Sequence, residues 1–261
     1  MYKNKLRETL QAGKVALGTC VDTFSPATME VAGYSGLDFV RIDTEYSWRS
    51  DDSLDHMLRA AALADVTAMV RITKGNPYLA SKVLQAGAGA LLVSDIESCQ
   101  EAVDVVRASK FAPKGVRGYS SFSFAAKWGT GGGKEWVEWS DSEIMVGVMV
   151  ENTRIMKDLD EIFAIDGLDY CLFGPADFAM SLGYRGPAKN DPQVQAAFQK
   201  TCELAEKHGK TVAIGIGQPW LQDAEKYLNG GCRMLELGHD LGILRSAWQK
   251  AVQEFSTAKK R

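Results

Sequence analysis

Several apolar runs in this chain end on a charge or enclose one. Ile42 is followed by Asp43-Thr44-Glu45-Tyr46, and Arg71 lies inside Met69-Val70-Arg71-Ile72. The run from Val146 to Val150 emerges at Glu151, Phe173-Gly174-Pro175-Ala176 leads to Asp177, and Glu236 precedes His239-Asp240. A charge leaving a buried run is costly unless it is paired or ligating, so Glu151 and Arg71 read as functional groups rather than packing. Glu151 and Asp177, on neighbouring runs, offer hard oxygen donors suited to Mg²⁺ or Mn²⁺, with water in the remaining positions. Arg71 beside them would take a carboxylate through two parallel N–H groups while the ion polarises a neighbouring carbonyl. That combination fits a 2-oxo acid reacting through an enolate. The histidines His56, His208 and His239 are isolated in sequence, so no His-rich zinc set is suggested, and of the three only His239 ends a strand on the side where chemistry is expected. Asp95 and Asp240 read as caps of the helices that follow them.

Placing these groups together requires a fold in which many strand ends converge. Short apolar, β-branched runs alternate with amphipathic segments along the whole chain, and the strand candidates are 15–22, 38–43, 67–72, 90–95, 144–151, 168–174, 211–216 and 232–238. Eight such runs and ~250 residues are the marks of a closed barrel whose active site lies at the C-terminal ends of its strands. The spacing predicts an α/β fold, one (β/α)₈ TIM barrel domain over 1–261. Ser25-Pro26, Asn76-Pro77 and Asp191-Pro192 open helices, and Gly87 and Gly209 close two. Between 110 and 143 the alternation lapses into a long segment holding Trp128, Trp136 and Trp139, which reads as a functional loop or an oligomer contact. Its Gly129-Thr-Gly-Gly-Gly-Lys134 run lacks the spacing of a phosphate-binding loop and reads as a flexible turn.

Composition narrows the partners. With 30 Lys plus Arg against 33 Asp plus Glu, the net charge of −3 supplies no field for nucleic acid or an anionic membrane. Five scattered cysteines without a C-x-x-C pair suggest reduced thiols rather than a disulfide framework. The expectation is a cytoplasmic protein acting on small molecules.

The same residues resemble the HpcH/HpaI aldolase family, class II metal-dependent enzymes of 4-hydroxy-2-oxo acids. The resemblance covers nearly the whole chain. It rests on Ala32-Gly33 with Asp38, on Ile42-Asp43-Thr44-Glu45, on Val70-Arg71 with Asn76-Pro77, and on Pro113 to Gly118 followed by Trp128. The most specific block is Phe173-Gly174-Pro175-Ala176-Asp177 with Gly183-Tyr184. The resemblance implies that Glu151 and Asp177 hold the divalent metal (Mg²⁺ or Mn²⁺, with Co²⁺ a further candidate). It implies that Arg71 binds the oxo acid and steadies its enolate, and that the backbone around Gly174, Pro175, Ala176 and Asp177 receives the carboxylate. It also implies a homo-oligomer, commonly a hexamer, with the C-terminal helix swapped between subunits.

Two positions depart from the family pattern. Tyr46 stands where a histidine partners the aspartate, here Asp43, in a catalytic dyad, and Met149 stands where glutamine is common. A phenol with a pKa of ~10 is a poor base near neutrality, so proton transfer falls to a hydroxide on the metal, to His239, or to a Tyr46 of lowered pKa, in that order. The leading function is an aldolase joining or splitting a pyruvate-like 2-oxo acid and an aldehyde. The alternatives are a decarboxylase or C–C hydrolase of oxaloacetate-like acids and a non-catalytic binding protein on the same barrel.

Overall fold

The structure is a computed structural model that describes residues 3–46 and 51–258. Its eight strands are β1 (Ala16–Val21), β2 (Phe39–Asp43), β3 (Thr67–Thr73), β4 (Ala90–Ser94), β5 (Met145–Val150), β6 (Tyr170–Phe173), β7 (Thr211–Ile216) and β8 (Met234–His239). Each pairs in parallel with the next, and β8 returns to β1, closing a (β/α)₈ TIM barrel. All eight expected strands are present, with ends displaced by two residues at most.

The helices are α1 (Lys5–Gln11), α2 (Pro26–Tyr34), α3 (Asp51–Leu63), α4 (Pro77–Ala86), α5 (Cys99–Ser109), α6 (Lys134–Glu143), α7 (Leu159–Phe163), α8 (Pro175–Ser181), α9 (Pro192–Lys207), α10 (Trp220–Asn229) and α11 (Asp240–Ala258). All three proline-led helices start where the sequence predicts, but only two of the three expected side-chain caps form. Asn76 accepts from the Leu79 amide and Asp191 from the Gln193 amide, while Ser25 precedes α2 without a side-chain cap. Among the described residues no helix is long and apolar enough to cross a membrane.

Two shells of apolar packing follow from the period-two alternation of the strands. Outward residues such as Val40, Val70, Val148 and Ile214 meet the helices, and inward ones, Phe39, Met69, Leu92, Tyr170 and Met234 among them, fill the barrel. Helix α1 closes the bottom, where Leu6 is fully buried and Asn4 donates to Gly89 and Glu143 carbonyls at 2.8 Å each. The segment between 110 and 143 is more ordered than the sequence suggests. It contains α6, and Trp136 is buried in a small core with Phe111, Ala125 and Ala126. Gly133 precedes α6 at a positive φ, so the glycine run serves as a turn into a helix.

Candidate active site at the barrel mouth

Alternation puts Arg41 and Asp43 of β2, Arg71 of β3, Met149 of β5 and Glu236 of β8 on the inward face, above the apolar filling. All are at least nine-tenths buried, so their charges must be satisfied by one another. Arg41 grips both oxygens of Glu236, at 2.7 Å from Nε and 2.9 Å from Nη2, tying β2 to β8. Burial works against the Arg41 charge, yet Glu236 raises its pKa above the ordinary arginine value. Arg41 Nη1 also reaches Asp43 at 3.4 Å, and Arg71 Nη2 donates to the same Asp43 oxygen. Burial disfavours the Asp43 carboxylate, but Arg71, the Glu45 amide and Arg41 hold its pKa below the usual range.

Arg71 is the upper member of this chain of charges. Its Nη1 lies 3.2 Å from Glu45 Oε2 and 3.6 Å from Met149 Sδ, and its guanidinium sits 4.8 Å from the centre of the Tyr46 ring. Arg71 Nε and Glu45 Oε2 are buried without a hydrogen-bond partner. The donor fork is therefore held in place by protein carboxylates yet has unused capacity at the mouth. Tyr46 is 72% exposed and lies over Arg71 as a lid. Partial burial and the carboxylates of Glu45 and Asp177 push its phenol above its ordinary pKa, the opposite of what a base near neutrality needs.

Glu151 follows β5 directly and is 8% exposed. One of its oxygens accepts the Asp95 amide at 2.6 Å. Asp95 does so from a left-handed conformation (φ 61°) and does not cap the next helix; Ser98 caps α5 instead. Burial, then Glu45 and Asp177, push the Glu151 carboxyl up to about 7. Asp177 is exposed, in the first turn of α8, on the next strand–helix connection. At the Gly174 between them a Cβ would stand 3.0 Å from Glu151 Cβ and 3.5 Å from its Oε2, close enough to press on the Glu151 side chain. Pro175 opens α8, so the amides of Ala176 and Asp177 begin the helix in the turn that intrahelical carbonyls cannot satisfy.

Glu45, Glu151 and Asp177 thus lie within electrostatic reach of one another and of Arg71, and burial, with the two neighbouring carboxylates, drives Glu151 toward its neutral form. An all-oxygen donor set with excess negative charge fits a hard divalent cation.

His239 is placed elsewhere. It ends β8, and its Nδ1 lies 2.8 Å from Asp22 Oδ2, on the opposite side of the barrel from β5. Asp240 binds the loop after β1 through the Asp22 and Thr23 amides rather than acting as a simple cap. The pairing of Arg41 with Glu236 and the contact of Glu45 with Arg71 join residues that no local sequence pattern connects. The signal for Arg41 was present, since it interrupts an apolar run two residues before Asp43, just as Arg71 interrupts the next strand.

Comparison with known proteins bears on this mouth. The HpcH/HpaI aldolase/citrate lyase family model matches residues 17–247. A 5-keto-4-deoxy-D-glucarate aldolase of Enterobacter sp. (strain 638) is 32% identical over 255 residues, covering 98% of each chain. An HpcH/HpaI aldolase/citrate lyase family protein from Burkholderia cenocepacia J2315 superposes with a TM-score of 0.89 at 28% identity, over 97% of this chain and 100% of that one. The citrate synthase SbnG superposes with a TM-score of 0.87 at 27% identity, over 98% and 99% of the two chains.

Proposed function

We propose, on the premise that this chain belongs to the HpcH/HpaI aldolase/citrate lyase family and is a carbon–carbon lyase, that it is a divalent-metal-dependent aldolase of 4-hydroxy-2-oxo acids. The products would be pyruvate, or a close analogue, and an aldehyde. The observation that carries the reading is the buried Arg71 guanidinium at the C-terminal mouth together with the buried Glu151 carboxyl, which is electrostatically coupled to both Arg71 and Asp177. Because the relatives are 5-keto-4-deoxy-D-glucarate aldolases, a sugar-derived oxo diacid is the substrate class.

Glu151 and Asp177 would hold the ion, Mg²⁺ or Mn²⁺ with Co²⁺ as a further candidate, and when bound it acts as a Lewis acid toward the 2-oxo group. Arg71, kept planar and oriented by Asp43 and Glu45, presents its remaining N–H capacity to the oxygen on which enolate charge develops. The first amides of α8, at Ala176 and Asp177, receive the substrate carboxylate at the positive end of the helix. Tyr46 remains a phenol at neutral pH and closes one side of Arg71 as a hydroxyl donor; it does not remove the substrate proton.

Tyr46 also favours a second reading. Decarboxylation of an oxaloacetate-like acid needs an electron sink but no base at a hydroxyl, and Arg71 with the ion that Glu151 and Asp177 would hold supplies the sink while Tyr46 stays neutral. One experiment separates the two. Metal-free protein is incubated with each ion and with 5-keto-4-deoxy-D-glucarate, simpler 4-hydroxy-2-oxo acids or oxaloacetate, and pyruvate is measured. Ion-dependent pyruvate from the hydroxy-oxo acids is the expected result. Pyruvate from oxaloacetate alone selects the second reading, and none from any substrate removes both.

A further inference from the structure

On the side of the mouth opposite β5, where β8 meets β1, a different set of donors converges. The two strands run in register as far as Gly18 and Glu236, after which one extra residue on β8 sets Cys20 opposite His239. Gly238 absorbs the bulge at a φ of 64°, and the Thr19 hydroxyl pins it by donating to the Gly238 carbonyl at 3.0 Å. Asp22, two residues beyond Cys20, reaches His239 Nδ1 at 2.8 Å and Cys20 Sγ at 3.9 Å. All three ligand atoms lie within 4.8 Å of one another, the group of three His, Cys, Asp or Glu side chains that converges so closely among the described residues.

We propose that Cys20, Asp22 and His239 form a second divalent-cation site, for a borderline-soft ion of the zinc class, with its fourth position open to the barrel mouth. A tetrahedral Zn²⁺ with ordinary bond lengths sets sulfur, nitrogen and oxygen ligands about 3.4–3.6 Å apart, inside the 4.8 Å within which the three ligand atoms already lie, so closure around an ion needs movements of about an ångström. A thiolate and an imidazole select such an ion over the hard cations suited to Glu151 and Asp177. The surroundings are anionic: around Cys20, the carboxylates of Glu236, Asp22 and Asp43 face the single guanidinium of Arg41. Behind the ligands Asp240 accepts from the Asp22 amide at 3.0 Å and from the Thr23 amide and hydroxyl at 3.2 and 2.6 Å, fixing the loop that carries Asp22. Such outer support is what metal ligands require. On binding, the Cys20 thiol gives its proton to solvent, the imidazole carries its own on Nε2, and Nδ1 becomes the ligand. The site is independent of the reading of Glu151 and Asp177.

Metal-free, reduced protein is titrated with Zn²⁺ and Co²⁺, and bound ions per chain are counted. We expect two ions in the wild type and one in each of Glu151→Gln, Cys20→Ser and His239→Ala. A thiolate-to-cobalt charge-transfer band is expected in the wild type and in Glu151→Gln and absent from Cys20→Ser. A wild type without that band overturns the proposal, as does a Zn²⁺ count unchanged by both Cys20→Ser and His239→Ala. Should the buried Cys20 variant fail to fold, the half-exposed His239 variant decides alone.

Discussion

Glu151 shows how one side chain joins stability to function. Its carboxyl, about 7 in the folded chain against 4.5 ordinarily, is held partly neutral by burial and by Glu45 and Asp177. A carboxyl whose pKa is raised by folding favours the native state fully below about 4.5, and that contribution is lost as pH rises through 7. The loss amounts to about 3 kcal/mol at most. In chelator, Glu151→Gln should therefore resist urea better than the wild type at pH 8 and equally near pH 5, while losing ion-dependent turnover. Equal midpoints at pH 8 would show that the carboxyl carries no such strain. Arg71→Lys keeps the charge but not the fork that Asp43 and Glu45 orient, so kcat/KM should fall by roughly two orders of magnitude; a change under threefold would remove Arg71 from the chemistry. Tyr46→Phe retains the ring over Arg71 and deletes only a hydroxyl that stays protonated, so pyruvate release should stay within a few-fold. Loss of aldol cleavage with decarboxylation spared would instead make Tyr46 the base.

At the scale of elements, what could be read in advance was what local pattern decides. Strands buried on both faces of a parallel barrel are continuous apolar runs, so all eight stood out, and with them the charges at their ends. What depended on partners distant in sequence did not stand out. Asp95 resembles a cap by type, yet it acts through its amide on Glu151, 56 residues away. The helix inside 110–143 was masked by glycines and exposed polar residues, because its anchor, Trp136, buries against the loop's own Phe111. The Arg41–Glu236 pair joins strands 195 residues apart and carries an energetic consequence. Glu236→Ala removes the two-pronged partner of a buried guanidinium, leaves it only the 3.4 Å contact to Asp43, and should cost about 3–5 kcal/mol. Arg41→Met combined with Glu236→Leu should cost much less, since an apolar pair of similar volume removes both desolvation penalties. Chemical denaturation of the two variants checks this, and equal losses would mean that the pair's charges contribute nothing specific.

At the scale of the whole molecule, the last helix is incomplete alone. Leu241, Leu244, Trp248, Val252 and Phe255 recur on α11 at intervals of three and four, so they share one stripe, and Trp248, Val252 and Phe255 are all more than 60% exposed. Soluble chains rarely leave so continuous an apolar stripe in water, and its spacing matches the seam by which helices pack on one another. The occupant we predict for it is a second copy of this chain, as a C-terminal helix exchanged between subunits would supply. The prediction is a homo-oligomer, with the hexamer as the expected form. Trp248→Glu, placed at the centre of the stripe, would bury a charge in each contact and should shift the particle toward the 28.5 kDa of one chain, read by light scattering on a sizing column. Because α11 joins the barrel at β1 and β8 rather than at β5, the isolated chain should keep its far-ultraviolet spectrum. An unchanged mass for Trp248→Glu would mean that α11 is not where the copies meet.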